Sequence, residues 1–285
     1  MIGAIAGVTI ATPDLDPAVA AYGEYLGYRG GMGRVDDALA ARLGAPGIVG
    51  NRMATLYPES GEDCFIRLIE AVDVPEYRPL TTFGWNSAEL IVQDLDALAT
   101  RLRHSPFEII GQPATLDFDF TDKIRAMQVV GPSREVLYLT EVTGPVPGFA
   151  LPEAKSFVGR IFVAILGVAD LDAWSIASTE RLGLFPGQRF ATRIEVLSDA
   201  LGFPREQRYA LTTVALDHAT LIEIDELPAA ATPRETGSDG LLPGIGMTSF
   251  FSAESGAGGS YPAGGRSMLC YEARFELIDR KGGKN

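Results

Sequence analysis

One phrase returns three times along this chain and limits what the chain can fold into: an alternating strand, then Asp-Leu-Asp, then a helix. The three copies read VTIATPDLDPAVAAYGEYLGY at 8–28, ELIVQDLDALATRL at 89–102 and VAILGVADLDAWSIASTERLGL at 163–184. Their first aspartates, Asp14, Asp94 and Asp170, follow one another at intervals of 80 and 76 residues, so four such units would fill the 285-residue chain. Duplication at this scale is typical of pseudo-symmetric modules that close on one another.

Each unit is predicted to run strand, helix, then two or three strands. In the first unit, Val8 and Ile10 alternate with small or polar residues, as in a half-buried strand. Asp14 or Asp16 can accept hydrogen bonds from the free amides at the start of the helix, and Pro17 suits the first helical turn. The units end in alternating strands at 64–71, 135–142, 219–226 and 272–279.

The fourth unit is the least complete. Its first strand is predicted within 244–254, but the glycine-rich stretch SGAGGSYPAGG at 255–265 predicts a loop where a helix would stand. Segments rich in proline or glycine separate the units, and the central one divides the chain into two halves. These segments lie at 74–84, 141–159 and 226–244.

Composition narrows the class of protein. Apolar residues make up 46% and charged residues 21% of the chain, which is typical of a soluble globular protein. The two cysteines, Cys64 and Cys270, offer no disulfide framework, so we expect a reducing, cytoplasmic location. No stretch approaches the ~20 apolar residues of a membrane span. The net charge of −13 argues against a nucleic-acid partner, which would need a basic face.

The strand-PDLD-helix-LGY opening and the closing strands GPSREVLYLTEV (131–142) and TLIEIDELP (220–228) resemble the vicinal oxygen chelate superfamily. This superfamily includes glyoxalase I, extradiol dioxygenases, and fosfomycin and bleomycin resistance proteins. The resemblance implies an α+β fold of four βαβββ modules, the fourth degenerate, paired into two open barrel-like sheets that each curl around a cavity. It implies a first domain at 1–144, with modules at 1–73 and 83–144, and a second at 157–285, with modules at 157–228 and 240–285.

The resemblance also implies where a divalent metal would bind: a His or Gln on a module's first strand and a Glu on its last strand. The first-strand positions, seven residues before each Asp, hold Gly7, Ser87 and Val163, none of which is a common ligand. The histidines, His104 and His218, fall at neither kind of position. We therefore expect no cofactor. Two carboxylates with water can hold a hard divalent cation weakly, so a bound metal stays an open alternative. The last-strand positions hold Arg67, Tyr138, Glu223 and Glu276.

Period-two alternation assigns side chains to the cavity face of each strand. It directs Arg67, Glu89 and Tyr138 of the first half into one cavity. Glu89 is the candidate general acid or base, Arg67 the anchor for a carboxylate or phenolate, and Tyr138 the donor to a developing oxyanion. A purely structural Arg67–Glu89 pair is the alternative. Candidate substrate-binding residues are Ser87, Thr9, Phe65 and Thr140 in this cavity and Glu223, Arg274 and Glu276, with Asp225, in the other.

Three functions fit these residues. The first is a lyase or isomerase that acts on a small aromatic or carbonyl-bearing molecule without a metal. The second is a non-catalytic protein that binds and sequesters such a molecule, as resistance proteins of the superfamily do. The third is a metal-dependent lyase or dioxygenase that uses Glu223 and Glu276. Each predicts a small organic ligand as partner, and a monomer or a homodimer is compatible with all three.

Overall fold

Each of the four predicted modules opens on a long, almost completely buried strand, in a computed structural model that describes residues 1–252 and 265–279. The first module contains β1 (Ile2–Thr12), α1 (Leu15–Tyr25), β2 (Arg29–Arg34), α2 (Asp37–Leu43), a 3-10 turn (Pro46–Ile48), β3 (Arg52–Tyr57) and β4 (Phe65–Glu70). The second contains β5 (Gly84–Val92), α3 (Leu95–Leu102), β6 (Glu108–Thr115), β7 (Ile124–Val130) and β8 (Val136–Val142).

The third module repeats the plan of the first, whereas the fourth is described only as strands. The third contains β9 (Val158–Val168), α4 (Leu171–Leu182), β10 (Phe190–Arg193), α5 (Glu195–Leu201), β11 (Arg208–Leu216), a 3-10 turn (Asp217–Ala219) and β12 (Thr220–Glu226). The fourth contains β13 (Gly244–Ser252), β14 (Arg266–Cys270) and β15 (Ala273–Ile278). The predicted loop at 255–265 lies outside the described residues, apart from Gly265.

The repeated aspartate starts the helix in two of the three copies. Asp94 accepts a hydrogen bond from the Ala97 amide at 2.9 Å, and Asp170 accepts one from the Ala173 amide at 2.8 Å. These bonds satisfy amides that have no partner inside the helix. The side chain of Asp14 makes no such bond. The prediction that Asp14 or Asp16 caps the first helix is therefore wrong for Asp14, whereas Asp94 and Asp170 cap the helices of the second and third modules.

Two curled sheets form, and their composition corrects the predicted pairing of modules. The first strand of the first module pairs with that of the fourth, with Val8 opposite Thr248, and the first strand of the second pairs with that of the third, with Ala88 opposite Ala164. The module pairs are thus one with four and two with three, not the consecutive pairs expected for 1–144 and 157–285. One sheet has the order β14-β15-β13-β1-β4-β3-β2 and the other the order β10-β11-β12-β9-β5-β8-β7-β6.

A single apolar core joins the two sheets on their helix-facing sides. Val8 and Ile10 of β1 and Leu90 of β5 belong to it, as the period-two pattern predicts. Trp85 lies at the junction, where its ring packs against Phe275 at a centroid distance of 4.9 Å. Because the core takes one face of each sheet, the opposite concave faces are left for α2, for loops or for a ligand. No helix among the described residues is both long and apolar enough to cross a membrane.

Tyr28 ties the first module to the third and is expected to matter for stability. Its hydroxyl donates to the buried Gly159 carbonyl at 2.7 Å, and its side chain is 1% exposed. Replacing Tyr28 by phenylalanine leaves that carbonyl without its partner, which should cost about 1–2 kcal/mol of unfolding free energy. Urea denaturation measures the loss. The matched control, Tyr25→Phe, changes a partly buried tyrosine on the neighbouring helix and is expected to cost far less; equal losses would show that the Gly159 bond is not the cause.

Candidate functional site

The concave face of the first sheet, called here the first hollow, gathers Thr9, Arg67, Ser249 and Glu276. The Arg67 guanidinium donates to the Thr9 hydroxyl at 3.1 Å and contacts Glu276 Oε2 at 3.2 Å. Arg67 also lies over the Phe65 ring at 4.6 Å, so Thr9 and Phe65 serve to position an arginine. Arg67 is therefore not beside Glu89 and Tyr138, which corrects the expected catalytic trio.

Glu276 is the centre of the first hollow and is fully buried. Arg42 Nε contacts its Oε1 at 2.6 Å, and the Ser249 hydroxyl donates to its Oε2 at 2.5 Å. Burial alone would raise the pKa of this carboxyl, but Arg67, Ser249 and Arg42 together hold its pKa below the ordinary value. Glu276 is thus an ionised group saturated by protein donors.

Apolar residues of the first module fill the rest of the first hollow. Leu39, Ala40 and Leu43 of α2 pack with Ile69 and Met247 of the sheet into a separate buried cluster. The guanidinium of Arg274 donates to the Arg42 carbonyl at 3.3 Å. The predicted substrate-binding residues Arg274 and Glu276 therefore belong to a plugged hollow in which protein groups take the place of a ligand.

The concave face of the second sheet, called here the second hollow, holds Glu89 and Tyr138 side by side on the adjacent strands β5 and β8. Glu89 is 7% exposed and accepts a hydrogen bond from the Thr140 hydroxyl at 2.5 Å. Burial raises the pKa of Glu89 to about 7, and the Thr140 bond offsets only part of that rise. Ser87, two residues before Glu89, is buried with its hydroxyl oxygen unpaired. The predicted neighbourhood of Ser87, Glu89, Tyr138 and Thr140 is present.

Two further carboxyl groups enter the second hollow from β12. Glu223 lies beside Ile165 of β9, and Asp225 follows two residues later on the same face. Burial, then the nearby carboxyls of Asp225 and Glu89, raises the pKa of Glu223 well above its ordinary value. Burial raises the pKa of Asp225 to about 7, and its Oδ1 has no hydrogen-bond partner. The sequence placed these groups with Arg274, because it paired the third module with the fourth.

Tyr138 is surrounded by these acids. Its pKa is raised well above the ordinary value, first by burial and then by Asp225, Glu223 and Glu89 in that order. A tyrosine whose pKa is raised keeps its proton at neutral pH and so acts as a hydrogen-bond donor. The second hollow therefore combines one permanent donor with two carboxyl groups, Glu89 and Asp225, whose protonation changes near pH 7, and a third, Glu223, whose pKa is also raised.

The second hollow is open, and its inner wall is aromatic. A cavity of about 370 Å³ is lined by Glu89, Tyr138 and Glu223, and an adjoining one of about 580 Å³ shares Phe118 with it. Phe118 and Phe120 stack at 5.2 Å, and both meet the Phe190 ring edge-on. Phe149 stacks on Phe120 at 5.6 Å. A volume of this size with apolar walls and a few polar groups suits a small organic molecule.

The sequence did not predict this aromatic wall. Phe118 and Phe120 belong to LDFDFTD at 116–122, an alternation of apolar and acidic residues that is typical of a half-exposed strand. In the structure, β6 ends at Thr115 and the segment turns back through an isolated bridge between Phe118 and Thr121. The only available signal was the pair of phenylalanines itself.

The residues present do not fit the metal site that the superfamily implies. In the first hollow, Arg42 and Arg67 already occupy both oxygens of Glu276. In the second, the corresponding positions hold Ser87, Val163 and Tyr138 beside Glu223. Across residues 1–252 and 265–279, no group of three or more His, Cys, Asp or Glu side chains is arranged to hold a metal ion. Glu223 and Glu276, proposed as joint ligands in the third hypothesis, lie in different sheets.

Two paired sets of modules, three with the order βαβββ or an elaboration of it and a fourth described only as strands, form two curled sheets with one hollow filled and one open. Glyoxalase I from Zea mays has a TM-score of 0.59 at 13% identity, over 97% of this chain and 92% of that one. A "putative dioxygenase" from Bacillus subtilis subsp. subtilis str. 168 has a TM-score of 0.62 at 13% identity, over 99% of this chain and 86% of that one. No family model and no curated protein matches the sequence. The chain therefore shares the fold of these two solved structures, and this is the fold that the resemblance of its motifs predicts.

Proposed function

We propose that this protein is a small-molecule enzyme, a lyase or isomerase that moves a proton in the second hollow without a metal. The observation that carries the proposal is Glu89: a buried carboxyl with a pKa of about 7 that faces an open cavity beside Tyr138. A proton-transfer group is most effective when its pKa lies near the working pH. The aromatic wall supports an aromatic or otherwise apolar substrate.

The chemistry follows from two side chains. The Glu89 carboxylate takes a proton from a carbon next to a carbonyl group, so a C–H bond breaks and an O–H bond forms. The electron pair of the C–H bond moves toward the carbonyl oxygen, where the Tyr138 hydroxyl donates a hydrogen bond to the developing negative charge. Return of the proton from Glu89 to another carbon gives an isomer. Departure of a leaving group with its electron pair, protonated by Glu89, gives a lyase reaction.

Arg67 has no part in this mechanism. Its guanidinium is held by Thr9 and Glu276 in the first hollow. The arginines that line the 370 Å³ cavity are Arg193 and Arg205, whose side chains are 43% and 60% exposed and paired with acidic residues. Substrate anchoring is therefore assigned to the aromatic wall and to the carboxyl groups.

The proposal is tested by replacing Glu89 with glutamine, which keeps the shape of the side chain and removes the titrating proton. The assay is deuterium incorporation, followed by proton NMR in D₂O, at carbons next to the carbonyl of 1-phenylpropan-2-one and 2-hydroxyacetophenone. The wild-type protein is expected to accelerate exchange, and the variant to lose about 100-fold of that rate. The matched control, Glu141→Gln, changes a glutamate of β8 that pairs with Arg125 away from the cavity and should exchange as wild type does.

An unchanged exchange rate in the Glu89→Gln variant would remove Glu89 from the chemistry. A wild-type protein that binds these ketones but exchanges no proton would favour the second hypothesis, sequestration without catalysis. The cluster of Phe118, Phe120, Phe149 and Phe190 is the feature that supports this second function, since it can retain an apolar ligand without any reacting group.

A further inference from the structure

We infer that the second hollow receives an organic cation: a protonated amine carried on an aromatic or similarly apolar body, with the ammonium group between Glu89 and Glu223. The inference names the substrate class of the proposed function and rests on it for the location of the bound molecule. It is carried by the placement of charged groups and aromatic rings around the cavity.

Glu89 and Glu223 lie on the two strands that flank β9. Glu89 on β5 lies opposite Val163 of β9, and Glu223 on β12 lies beside Ile165 of the same strand. Their backbones are therefore two strand spacings apart and offset by two residues, about 12 Å in all, and the side chains bring the carboxyls near enough for Glu89 to raise the pKa of Glu223. Both carboxyls line the 370 Å³ cavity and a smaller adjoining one of about 60 Å³, called here the innermost cavity, which Val163 also lines. The arrangement is a clamp of two acids over an apolar floor.

No positive charge opposes these acids inside the hollow. Among the described residues that line the innermost cavity, none is Lys, Arg or His. Arg193 and Arg208, at the rim, both contact Asp117, at 2.9 and 3.4 Å. Arg205, also at the rim, contacts Asp199 at 2.7 Å and Glu195 at 3.3 Å. The arginines at the rim are thus paired with acidic side chains, whereas the described residues of the innermost cavity include acidic but no basic side chains. An anion would therefore be repelled from the interior and a cation attracted to it.

The aromatic wall suits the same ligand. The innermost cavity is lined by both Glu89 and Glu223 and by the rings of Phe118, Phe120, Phe149, Phe162 and Phe190. A cation is attracted to the faces of aromatic rings, and its apolar body gains by burial against them. A carboxyl clamp beside phenylalanine rings therefore matches both ends of an aromatic amine.

The clamp also makes binding depend on pH. The groups that face it are Glu89 of β5, Tyr138 of β8, and Glu223 and Asp225 of β12. Outside them, at the rim, lie Asp117, Arg193, Glu195, Asp199 and Arg205. Burial raises the pKa values of Glu89 and Asp225 to about 7, and burial with the carboxyls of Asp225 and Glu89 raises that of Glu223 well above its ordinary value, so the empty clamp holds protons near neutral pH. An entering ammonium displaces a proton, and affinity should rise between pH 6 and pH 8.

Isothermal calorimetry with three probes of one shape tests the inference: 2-phenylethylammonium, 2-phenylethanol and phenylacetate. The ammonium is expected to bind at least about tenfold more tightly than phenylacetate at pH 8, and more tightly at pH 8 than at pH 6. Its binding enthalpy should vary with the ionisation enthalpy of the buffer, because a proton is released. Glu223→Gln should weaken the ammonium about tenfold and leave the alcohol unchanged, which also shows that the hollow is intact.

The matched control, Glu180→Gln, alters an exposed glutamate on α4 and should leave all three affinities at wild-type values. Equal or tighter binding of phenylacetate, or an unchanged ammonium affinity in Glu223→Gln, would overturn the inference. The deuterium-exchange assay separates this failure from that of the proposed function. If Glu89→Gln loses exchange but the ammonium is not preferred, the proton-transfer function is supported and the cation-binding inference is wrong. If the ammonium is preferred but exchange is unchanged in Glu89→Gln, the cation-binding inference is supported and the proton-transfer function is wrong.

Discussion

Replacing Asp225 by asparagine is expected to make the protein more stable than wild type at pH 8 and about equally stable at pH 4. Asp225 is 6% exposed, its Oδ1 has no partner, and its pKa is about 7 in the folded protein against about 3.9 in an unfolded chain. Because the folded pKa is the higher one, the folded state favours the protonated form. The resulting contribution of Asp225 to the unfolding free energy is complete below about pH 3.9 and is lost as the pH rises through 7. The three-unit difference corresponds to about 4 kcal/mol.

The measurement is urea denaturation of both proteins between pH 4 and pH 8. The variant carries a neutral amide at every pH, so its unfolding free energy should fall less over this range than that of wild type. Burial also raises the pKa values of Glu89 and Glu135 to about 7, so in both proteins these two residues contribute part of the fall in unfolding free energy with rising pH. The control is Asp119→Asn, in an exposed position between β6 and β7, which should retain the full slope. Equal slopes for Asp225→Asn and wild type would contradict the buried-acid explanation.

The faces of the central strands were predictable because period two is a property of the single strand. Val8, Ile10 and Leu90 lie in the core, and Thr9 and Glu89 lie in hollows, as the alternation indicated. The identity of the module was equally local, since the Asp-Leu-Asp phrase both ends a strand and starts a helix. These signals lie within about twenty residues of sequence, where pattern reasoning is strongest.

The partner of each module was not predictable in the same way. Each first strand has two edges, and nothing within β1 states whether β5 or β13 will take the second one. The choice is made by packing across the whole molecule, for example by Trp85, which packs on Phe250 and Phe275 of the fourth module. The observed pairing of modules places Arg67 in a different sheet from Glu89, and it places Glu223 in the same sheet as Glu89. The site followed from topology as much as from residue type.

The alternative prediction for Arg67, a purely structural ion pair, is correct about the kind of interaction and wrong about the partner. A purely structural ion pair was expected with Glu89, and such a pair exists with Glu276. Arginine stands at the last-strand position where the resemblance predicts a metal ligand, and its guanidinium contacts Glu276 at 3.2 Å. Glu276 is the counterpart of the two guanidinium groups of Arg42 and Arg67, and we expect it to hold the first hollow closed.

Replacing Glu276 by glutamine is accordingly expected to cost roughly 3–5 kcal/mol of unfolding free energy at pH 7, because it leaves two largely buried guanidinium groups without their carboxylate. The side chains of Arg42 and Arg67 are 18% and 11% exposed. The folded pKa of Glu276 lies below the unfolded value of about 4.3. Its contribution to stability is therefore present above about pH 4.3 and is lost as the pH falls through the folded pKa, so the deficit of the variant should shrink in acid.

Two comparisons separate charge from packing as the cause of that loss. The control Glu70→Gln breaks an ion pair with Arg52 whose side chains are 35% and 39% exposed, and it should cost less than about 1 kcal/mol. In the second comparison, adding Arg67→Met to Glu276→Gln removes one uncompensated cation and should restore part of the stability lost at pH 7. If the double variant were less stable than Glu276→Gln alone, repulsion between Arg42 and Arg67 would not be the cause. The first hollow would then be held closed by the packing of α2 rather than by its charges.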